Sequence, residues 1–396
     1  MSARRAKYAV YAVFILNGFM FASWASRIPQ VRDGLELDPQ RLGLVLLAIA
    51  IGSLISMPLA GVVISRLGAA RTIMVMSIIG ATGLATAAIG SQYGVAPVIP
   101  GLFLLGLGSG TWDVAMNVEG AEVERRLGRS IMSRFHAGFS VGTVAGALLG
   151  SAMIALGVSV TAHLVGVAVV VAFTATPAVR GFLPVAHHDE HHEGAERRSP
   201  LKAWTEPRTL LIGVFVFCMA FTEGTGVDWL GVAVIDGYDA APALGSLTFA
   251  VFLTAMTLGR WFGPALLDEH GRVPVIRVTG VTAVLGLVIV VYGGSLAAAM
   301  AGAALWGAGV SLGFPVGMSA AADDARHSAG RVSVVSSIGY LAFLAGPPFV
   351  GFLGHEVGTL RALTAAAALV SLGVLISGVL RPPAPEPART PAFARE

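Results

Sequence analysis

Long runs without a charged side chain constrain this chain more than any other feature of its sequence. Runs of 24 and 41 residues without Asp, Glu, Lys or Arg occupy 42–65 and 72–112, and two runs of 45 residues occupy 135–179 and 278–322. About 20 apolar residues let one helix cross a bilayer, so the longer runs each predict two membrane helices joined by a short uncharged turn. Charged residues make up 12% of the chain, whereas a soluble domain holds about 25%. These features argue against a soluble helical core.

The apolar runs predict an all-α integral membrane protein with twelve transmembrane helices. The spans are expected at 8–29, 42–65, 72–92, 97–118, 131–155, 158–177, 209–232, 244–265, 273–294, 297–320, 332–353 and 358–380. The single cysteine, Cys218, falls inside a predicted span. It therefore excludes a disulfide framework and a cysteine-based metal site.

Lysine and arginine are distributed unevenly between the two sides of the predicted membrane. With the N-terminus placed in the cytoplasm, most of the loop Lys and Arg residues fall on the inner side, and Arg32 and Arg41 are nearly alone on the outer side. Cytoplasmic loops carry an excess of Lys and Arg. The distribution predicts a multi-pass protein of the plasma membrane, the inner membrane of the cell, with both termini in the cytoplasm.

One long polar loop divides the predicted spans six and six. The expected organisation is an N-terminal six-helix bundle at 1–177, a cytoplasmic linker at 178–208, a C-terminal six-helix bundle at 209–380 and a disordered cytoplasmic tail at 381–396. The linker contains a histidine cluster, His187–His192, whose residue types suit a divalent ion. A flexible linker gives such a cluster no fixed geometry, so no metal ion is expected.

The two groups of six spans show traces of an internal repeat. The segments GLGSGTWDVAMN (106–117) and GAGVSLGFPVGMS (307–319) align at an offset near 202, which pairs Trp112 with Phe314. Further matches at similar offsets are Asp113 with Pro315, Gly68 with Gly271, and Gly18 with Gly224. Two parallel six-helix repeats are characteristic of one large transporter fold.

The loop between spans two and three carries a family signature. The pattern, roughly G-x-x-x-D-R-x-G-R-R, is matched by Gly61, Arg66, Gly68 and Arg71 and departs at Ser65, where Asp is usual; the second copy keeps Asp268, Gly271 and Arg272. On these residues the chain resembles the major facilitator superfamily from end to end. In that family the Asp pins one helix end against the positive dipole end of a neighbouring helix.

A closer resemblance is carried by three further segments. WASRIP (24–29), DVAMN (113–117) and HAGFSVGTVAG (136–146) are similar to YbjJ-like bacterial proteins, which are distant relatives of the proton-coupled fucose symporters. This resemblance implies a secondary transporter that is linked to protons, and it leaves the solute open.

Ionisable groups at membrane depth are the candidates for proton coupling, because they are costly there and usually face a pathway or a partner. The candidates are Asp113 in span four, His136 early in span five and Glu223 near the middle of span seven. A hydrogen-bond network that braces the helices is the structural alternative for each of them. No metal ion or cofactor is expected in this group.

A second set of residues is expected to contact the solute. It comprises Asn17 at the depth of Glu223, Asn117 one turn from Asp113, and the tryptophans Trp24, Trp112 and Trp229, which suit stacking on a sugar or an apolar ring. Interfacial or packing tryptophans are the alternative.

The candidate gating residues lie away from the middle of the membrane. Arg27 and Asp228 lie on the outer parts of spans one and seven, whose ends meet in the family when the pathway closes to the outside. We therefore expect an Arg27–Asp228 contact in one state, with anchoring at the headgroups as the alternative for Arg27. Arg260, near the inner end of span eight, is a candidate partner for spans four and five or an interfacial anchor.

Together these features favour a proton-coupled secondary transporter for a small polar or amphipathic solute, with a sugar-like metabolite preferred and alternating access as its mechanism. The alternatives are a drug or metabolite efflux antiporter and a membrane sensor or receptor that does not transport. The glycine-rich stretch at 101–110 lacks the Lys-Ser/Thr of a nucleotide loop. No enzymatic activity, cofactor or nucleic-acid partner is expected, and the chain is expected to act as a monomer.

Overall fold

The computed structural model describes residues 3–128, 131–183, 200–323 and 328–382, and these residues form helices with no strand among them. The helices are α1 (Ala3–Ala25), α2 (Ile28–Gly34), α3 (Pro39–Gly90), α4 (Val95–Leu127), α5 (Met132–Ala155), α6 (Val160–Ala178), α7 (Pro207–Tyr238), α8 (Pro242–His270), α9 (Arg272–Tyr292), α10 (Leu296–Val310), α11 (Gly313–Ala321), α12 (Ser328–Val357), α13 (Thr359–Ala362) and α14 (Thr364–Ile376). The His187–His192 cluster, most of the predicted linker and the tail after residue 382 lie outside the described residues.

Twelve membrane crossings arise from these helices. By length and composition, 11 helical segments of the described chain can cross a membrane, and one of them is the 52-residue α3. Gly68 has a non-helical backbone that divides α3 into two crossings. The expected all-α fold with twelve transmembrane helices is therefore confirmed.

Three crossings are interrupted where the sequence predicted continuous helices, and one of them is the twelfth, which is broken between α13 and α14 at Leu363. The first crossing is broken between α1 and α2, at Ser26 and Arg27, and the tenth is broken between α10 and α11, at Ser311 and Leu312. A broken helix frees backbone carbonyls for other partners, and such breaks occur at membrane depth where the backbone is buried in protein or lines a cavity.

The turn glycines of the loop signature adopt the same unusual backbone in both halves of the chain. Gly68 has φ 74° and ψ 159°, and Gly271 has φ 78° and ψ 167°. This region of backbone space is essentially restricted to glycine. The two turns are thus structural equivalents, 203 positions apart, which supports the internal repeat.

The close contacts between helices repeat as well. A Cβ atom added to Gly106 would lie 2.1 Å from the carbonyl oxygen of Ile49, and one added to Gly307 would lie 2.1 Å from the carbonyl oxygen of Phe252. Only glycine permits such an approach of two helix backbones. These contacts pair residues 106 and 307, at an offset of 201 rather than 202. The aligned segments begin at these two positions, so the contacts support the internal repeat.

An even number of crossings places both chain termini on one face of the helical bundle. We call this face the terminal face and the opposite one the far face. Helices α3, α6 and α10 all begin at the far face, where the side chains of Asp38, Ser159 and Ser295 accept a hydrogen bond from a backbone N–H of the first turn. Such caps satisfy N–H groups that have no partner within the helix.

Two hydrogen bonds connect the described residues before the linker (3–183, the first half) with those after it (200–382, the second half), and both lie at the far face. An ion pair of 2.5 Å joins Arg32 on α2 to Asp236 on α7. The hydroxyl of Ser151 on α5 donates to the carbonyl oxygen of Ala243 on α8 at 2.9 Å. The two halves are therefore held together at the far face.

Packing between α3 and α12 adds to this contact. A Cβ atom added to Gly351 would lie 2.5 Å from the carbonyl oxygen of Pro39, and one added to Gly43 would lie 2.4 Å from that of Pro347. Near the terminal face, a Cβ atom at Gly61 of α3 would meet no heavy atom within 4 Å. The α3–α12 contact is thus tight at the far face.

At the terminal face, acidic residues tie helix ends together within each half. Glu119 accepts a hydrogen bond from the backbone N–H of Leu183 at 2.8 Å, and Asp323 binds Arg272 at 2.6 Å and Arg208 at 2.9 Å. Arg272 of the second loop signature thus ties the start of α9 to the end of α11.

The acidic position of the signature contributes no such tie. Ser65 donates to the carbonyl oxygen of Val62 in its own helix, and Asp268, Arg66 and Arg71 are exposed.

We expect the substitution Gly271→Ala to destabilise the protein by about 1–3 kcal/mol, because an alanine is strained in this backbone conformation. The strain is the cause, since the site has open space for a Cβ atom. Thermal unfolding of the purified protein in detergent measures the effect. Gly166→Ala is the matched control, because Gly166 also has open space but lies inside α6 without a positive φ. Equal midpoints for the two variants would contradict the argument.

Candidate functional site

A cavity of about 390 Å³ lies between the two halves at mid-depth. It is lined from α1, α3, α4 and α5 of the first half and from α7, α8, α11 and α12 of the second. Its polar lining residues are Asn17, Ser53, Ser109, Asp113, Glu223, Asp228, Arg260 and Tyr340, and its aromatic ones include Phe21, Trp24, Phe139, Phe314 and Phe343. The volume falls within the range of about 300–1,000 Å³ typical of small-molecule sites.

Three carboxylates and one guanidinium line this cavity. Glu223 on α7 and Arg260 on α8 form an ion pair of 2.7 Å, and Arg260 also donates to the carbonyl oxygen of Ser311 at 3.3 Å. That carbonyl lies at the break between α10 and α11. Arg260 therefore bonds within its own half in this conformation.

The other two carboxylates lie on opposite walls of the cavity, and neither is paired with a basic side chain of the described residues. Asp113 on α4 and Asp228 on α7 line the cavity, and in the described part of the chain neither side chain accepts a hydrogen bond or forms an ion pair. Asp113 interacts electrostatically with Tyr340 on α12, across the cavity. The cavity thus carries two carboxylates that the described protein does not neutralise.

Two of the predicted residues around Asp113 lie beside the cavity rather than in its lining. The side-chain amide of Asn117 donates to the backbone carbonyl of Asp113 at 2.9 Å and so is satisfied by its own helix. The ring of His136 packs edge-on against Phe14 at 5.3 Å and interacts electrostatically with Arg260. Neither belongs to the described lining of the cavity.

The expected contact between Arg27 and Asp228 is not formed in this conformation. Arg27 is 2% exposed, and it donates to Nδ1 of His163 at 2.9 Å and to the carbonyl oxygen of Val158 at 3.0 Å. These partners lie at the start of α6, so Arg27 braces the first half from within. It is not a headgroup anchor either, because it is buried.

The ion pair that joins the halves at this end is formed by Arg32 and Asp236, neither of which was among the predicted gating residues. Arg32 has a side chain that is 11% exposed and Asp236 one that is 34% exposed, and Asp236 also accepts from the hydroxyl of Thr359 at 3.0 Å. Arg32 lies five residues after Arg27, and Asp236 lies eight residues after Asp228. The available signal was the pair of opposite charges just beyond the outer ends of predicted spans one and seven.

Four of the six tryptophans are buried, and they separate into one cavity residue and three packing residues. Trp24 lines the cavity, and its indole N–H has no partner among the described residues. Trp112 and Trp229 are fully buried and are not part of the described lining. Trp306 packs against Phe252 at 5.2 Å. The packing interpretation therefore describes Trp112 and Trp229 in this conformation.

Asn17 presents an unused hydrogen-bond acceptor to the cavity. It is 3% exposed, its Nδ2 atom contacts the sulfur of Met116 at 4.0 Å, and its Oδ1 atom has no partner among the described residues. The hydroxyl of Ser109, also in the lining, is likewise buried and unpartnered. Buried polar atoms are normally hydrogen-bonded, so these atoms mark positions for a bound solute or water. The described residues hold no group of three or more His, Cys, Asp or Glu that could bind a metal ion.

Comparisons with known proteins agree with this arrangement. The family model of the Major Facilitator Superfamily matches residues 10–333 and 216–396. An uncharacterised transporter of Sinorhizobium fredii is 32% identical over 357 residues, which cover 89% of this chain and 92% of that protein.

Solved structures share the fold at low sequence identity. The nucleoside transporter NupG superposes with a TM-score of 0.75 at 13% identity, covering 96% of this chain and 98% of that one. The E. coli fucose:proton symporter FucP gives a TM-score of 0.62 at 15% identity, covering 94% and 98%. The family match and the Sinorhizobium relative together show that this chain belongs to the major facilitator superfamily and is a multi-pass membrane transporter rather than an enzyme.

Proposed function

We propose that the protein is a proton-coupled secondary transporter that moves a small polar or amphipathic solute by alternating access. The observation that carries this proposal is the cavity between the halves, which combines an aromatic lining with the unneutralised carboxylates Asp113 and Asp228. Ionisable groups that face a cavity at membrane depth are typical of proton and solute pathways. Aromatic side chains such as Trp24 suit the ring of a sugar-like solute.

The proposed orientation has the terminal face in the cytoplasm, as the loop charges predict. The contacts between the halves at the far face then close the pathway to the outside, so this conformation is inward-facing. The bundles at 1–177 and 209–380 are proposed to rock about the cavity, joined by the linker at 178–208. Because one chain supplies both walls of the cavity, a monomer is proposed to be the transporting unit.

Asp113 is proposed as the main proton-binding group. Its carboxylate lines the cavity, and no described basic residue bonds to it. Glu223 is proposed to take part through Arg260, which holds it at 2.7 Å and must be released before Glu223 can accept a proton. His136 lies within electrostatic reach of the same arginine and is proposed to adjust this pair from α5.

Proton coupling can be measured on the purified protein in liposomes. A pH gradient is imposed across proteoliposomes that contain the protein, and labelled L-fucose, uridine or D-glucosamine is added outside. Fucose and uridine are chosen because the structural neighbours are named for fucose with a proton and for nucleosides. We expect at least one solute to accumulate, and a protonophore to abolish the accumulation. We expect Asp113→Asn to lose gradient-driven accumulation while it keeps solute exchange, because the neutral amide cannot exchange a proton.

Asp239→Asn is the matched control for this experiment. Asp239 is an exposed carboxylate at the far-face end of α7 with a left-handed backbone, which asparagine also tolerates. Accumulation that persists without a gradient would contradict proton coupling. Solute uptake driven by inward proton movement indicates symport, and solute uptake driven by outward proton movement indicates an efflux antiporter. Binding without flux of any solute would contradict transport and favour a receptor.

The outer gate can be tested by removing its ion pair. Arg32→Gln removes the ion pair that joins α2 to α7 at the far face, and it should raise the population of the outward-open state. If about 1 kcal/mol of the contact is lost, a value usual for partly exposed pairs, the ratio of the two states changes about fivefold. We expect a corresponding rise in labelling of Val227→Cys, a cavity position, by a membrane-impermeant maleimide applied outside whole cells.

This labelling experiment uses a Cys218→Ser background, because Cys218 is the single native cysteine. Arg41→Gln is the control: Arg41 also forms an ion pair at the far face, with Asp38, but that pair is exposed and lies within one half. Unchanged labelling in Arg32→Gln, or an equal rise in Arg41→Gln, would contradict the assignment of the gate.

A further inference from the structure

We propose that the solute of this cavity carries a positively charged amine and that Asp228 receives it. This inference rests on the proposed transport function and names the chemical class of its solute. Asp228 lies on the second-half wall of the central cavity, and it also borders a smaller cavity of about 10 Å³ on its far side, next to the break between α1 and α2. The carboxylate therefore stands at the outer end of the solute site.

The charge balance of the cavity favours a cation. Among the described residues, its lining holds the carboxylates Asp113, Glu223 and Asp228 and one guanidinium, Arg260. Arg260 is paired with Glu223 at 2.7 Å, so its charge is already compensated. A carboxylate that is withdrawn from water is stable in its charged form only beside a counter-charge. One of the two remaining carboxylates can take the proposed proton, and a cationic solute can neutralise the other.

Two arginines of the first crossing are committed to other groups. Arg27, on the adjoining part of the first crossing, donates to His163 and to the carbonyl oxygen of Val158. Arg32, further toward the far face, binds Asp236. Within the described residues, the carboxylate of Asp228 accepts no hydrogen bond and forms no ion pair. The protein thus leaves this carboxylate for a ligand.

Unpartnered polar atoms in the same cavity independently point to a ligand. Oδ1 of Asn17 is an acceptor without a described partner on a residue that is 3% exposed, and it faces the cavity lining from α1. The indole N–H of Trp24 is an unpartnered donor in the same lining. An ammonium group has three donors and no acceptor. Asp228 and Asn17 offer acceptors to it, and the indole of Trp24 can hold a cation at its face.

Other ligand classes fit the cavity less well. An anion would meet two unneutralised carboxylates and an arginine that is already paired. A neutral polyol would leave Asp228 without a counter-charge. A divalent metal ion needs several ligands close together, and the described residues form no group of three or more His, Cys, Asp or Glu that could hold one. A small organic molecule with one amine and an apolar or hydroxylated ring satisfies the charge, the orphan acceptors and the aromatic walls.

Calorimetric binding to the full-length protein in detergent tests the proposal with two matched pairs of compounds. D-glucosamine is compared with D-glucose, and cyclohexylamine with cyclohexanol, at a pH where both amines are charged. We expect at least one amine to bind about tenfold or more tightly than its hydroxyl counterpart, as charge-assisted hydrogen bonds are stronger than neutral ones. Equal or weaker binding of both amines, or no binding of either, overturns the proposal.

Variants then assign the preference to one carboxylate. Asp228→Asn should remove the amine preference, Asp228→Glu should retain part of it, and the exposed-site control Asp239→Asn should leave it unchanged. The Asp228→Glu variant and the thermal unfolding midpoint separate a loss of binding from a loss of fold. A preference that survives in Asp228→Asn and disappears in Asp113→Asn overturns the assignment to Asp228. Because this experiment measures binding, the amine preference can be absent while proton-driven transport is observed. It can also be present while proton-driven transport is absent.

Discussion

The hydrocarbon interior of a bilayer supplies no hydrogen-bond partners, and the arrangement of polar atoms in this protein follows from that constraint. Many hydroxyl groups inside the crossings are satisfied locally: Thr222 donates to the carbonyl oxygen of Cys218, and Thr225 to that of Phe221. Several groups that lack a partner, such as Oδ1 of Asn17 and the carboxylate of Asp228, lie instead around the central cavity. At the cavity, solute and water can take the place of protein partners.

The buried charges differ in whether their bonds stay within one half or join the two. Arg27 binds His163 within the first half, and Arg260 binds Glu223 within the second. Such contacts can persist while the halves reorient as rigid bodies. The Arg32–Asp236 pair joins the halves and must break when the far face opens. A contact that exists in only one state shifts the equilibrium between the states, whereas one present in both does not. This distinction makes Arg32 suited to a gate and Arg27 suited to bracing.

The membrane fold was predictable from the sequence because a bilayer imposes a strict length and polarity on each crossing. The internal repeat was also predictable from Gly68 and Gly271, because their backbone conformation tolerates little besides glycine. Partners of individual side chains were less predictable. Arg27 and Asp228 have matching depth, but depth does not specify the direction in which a side chain points around its helix. His163 is the single ionisable residue of predicted span six, and its pairing with Arg27 depends on how α6 packs against α1. The burial of Trp112 was missed because its neighbour Asp113 faces the cavity, and adjacent residues on a helix point in different directions.

The two carboxylates on opposite walls bear on how solute and proton are linked. Asp113 belongs to the first half and Asp228 to the second, so a reorientation that encloses the cavity withdraws both from water. Two uncompensated carboxylates make that enclosure unfavourable. A proton on Asp113 and an amine at Asp228 would together neutralise the cavity, and the loaded form would then reorient most readily. If proton and amine shared one carboxylate, each would exclude the other, which is the arrangement for exchange. Separate carboxylates allow both to be bound at once, and on these proposals that arrangement favours symport.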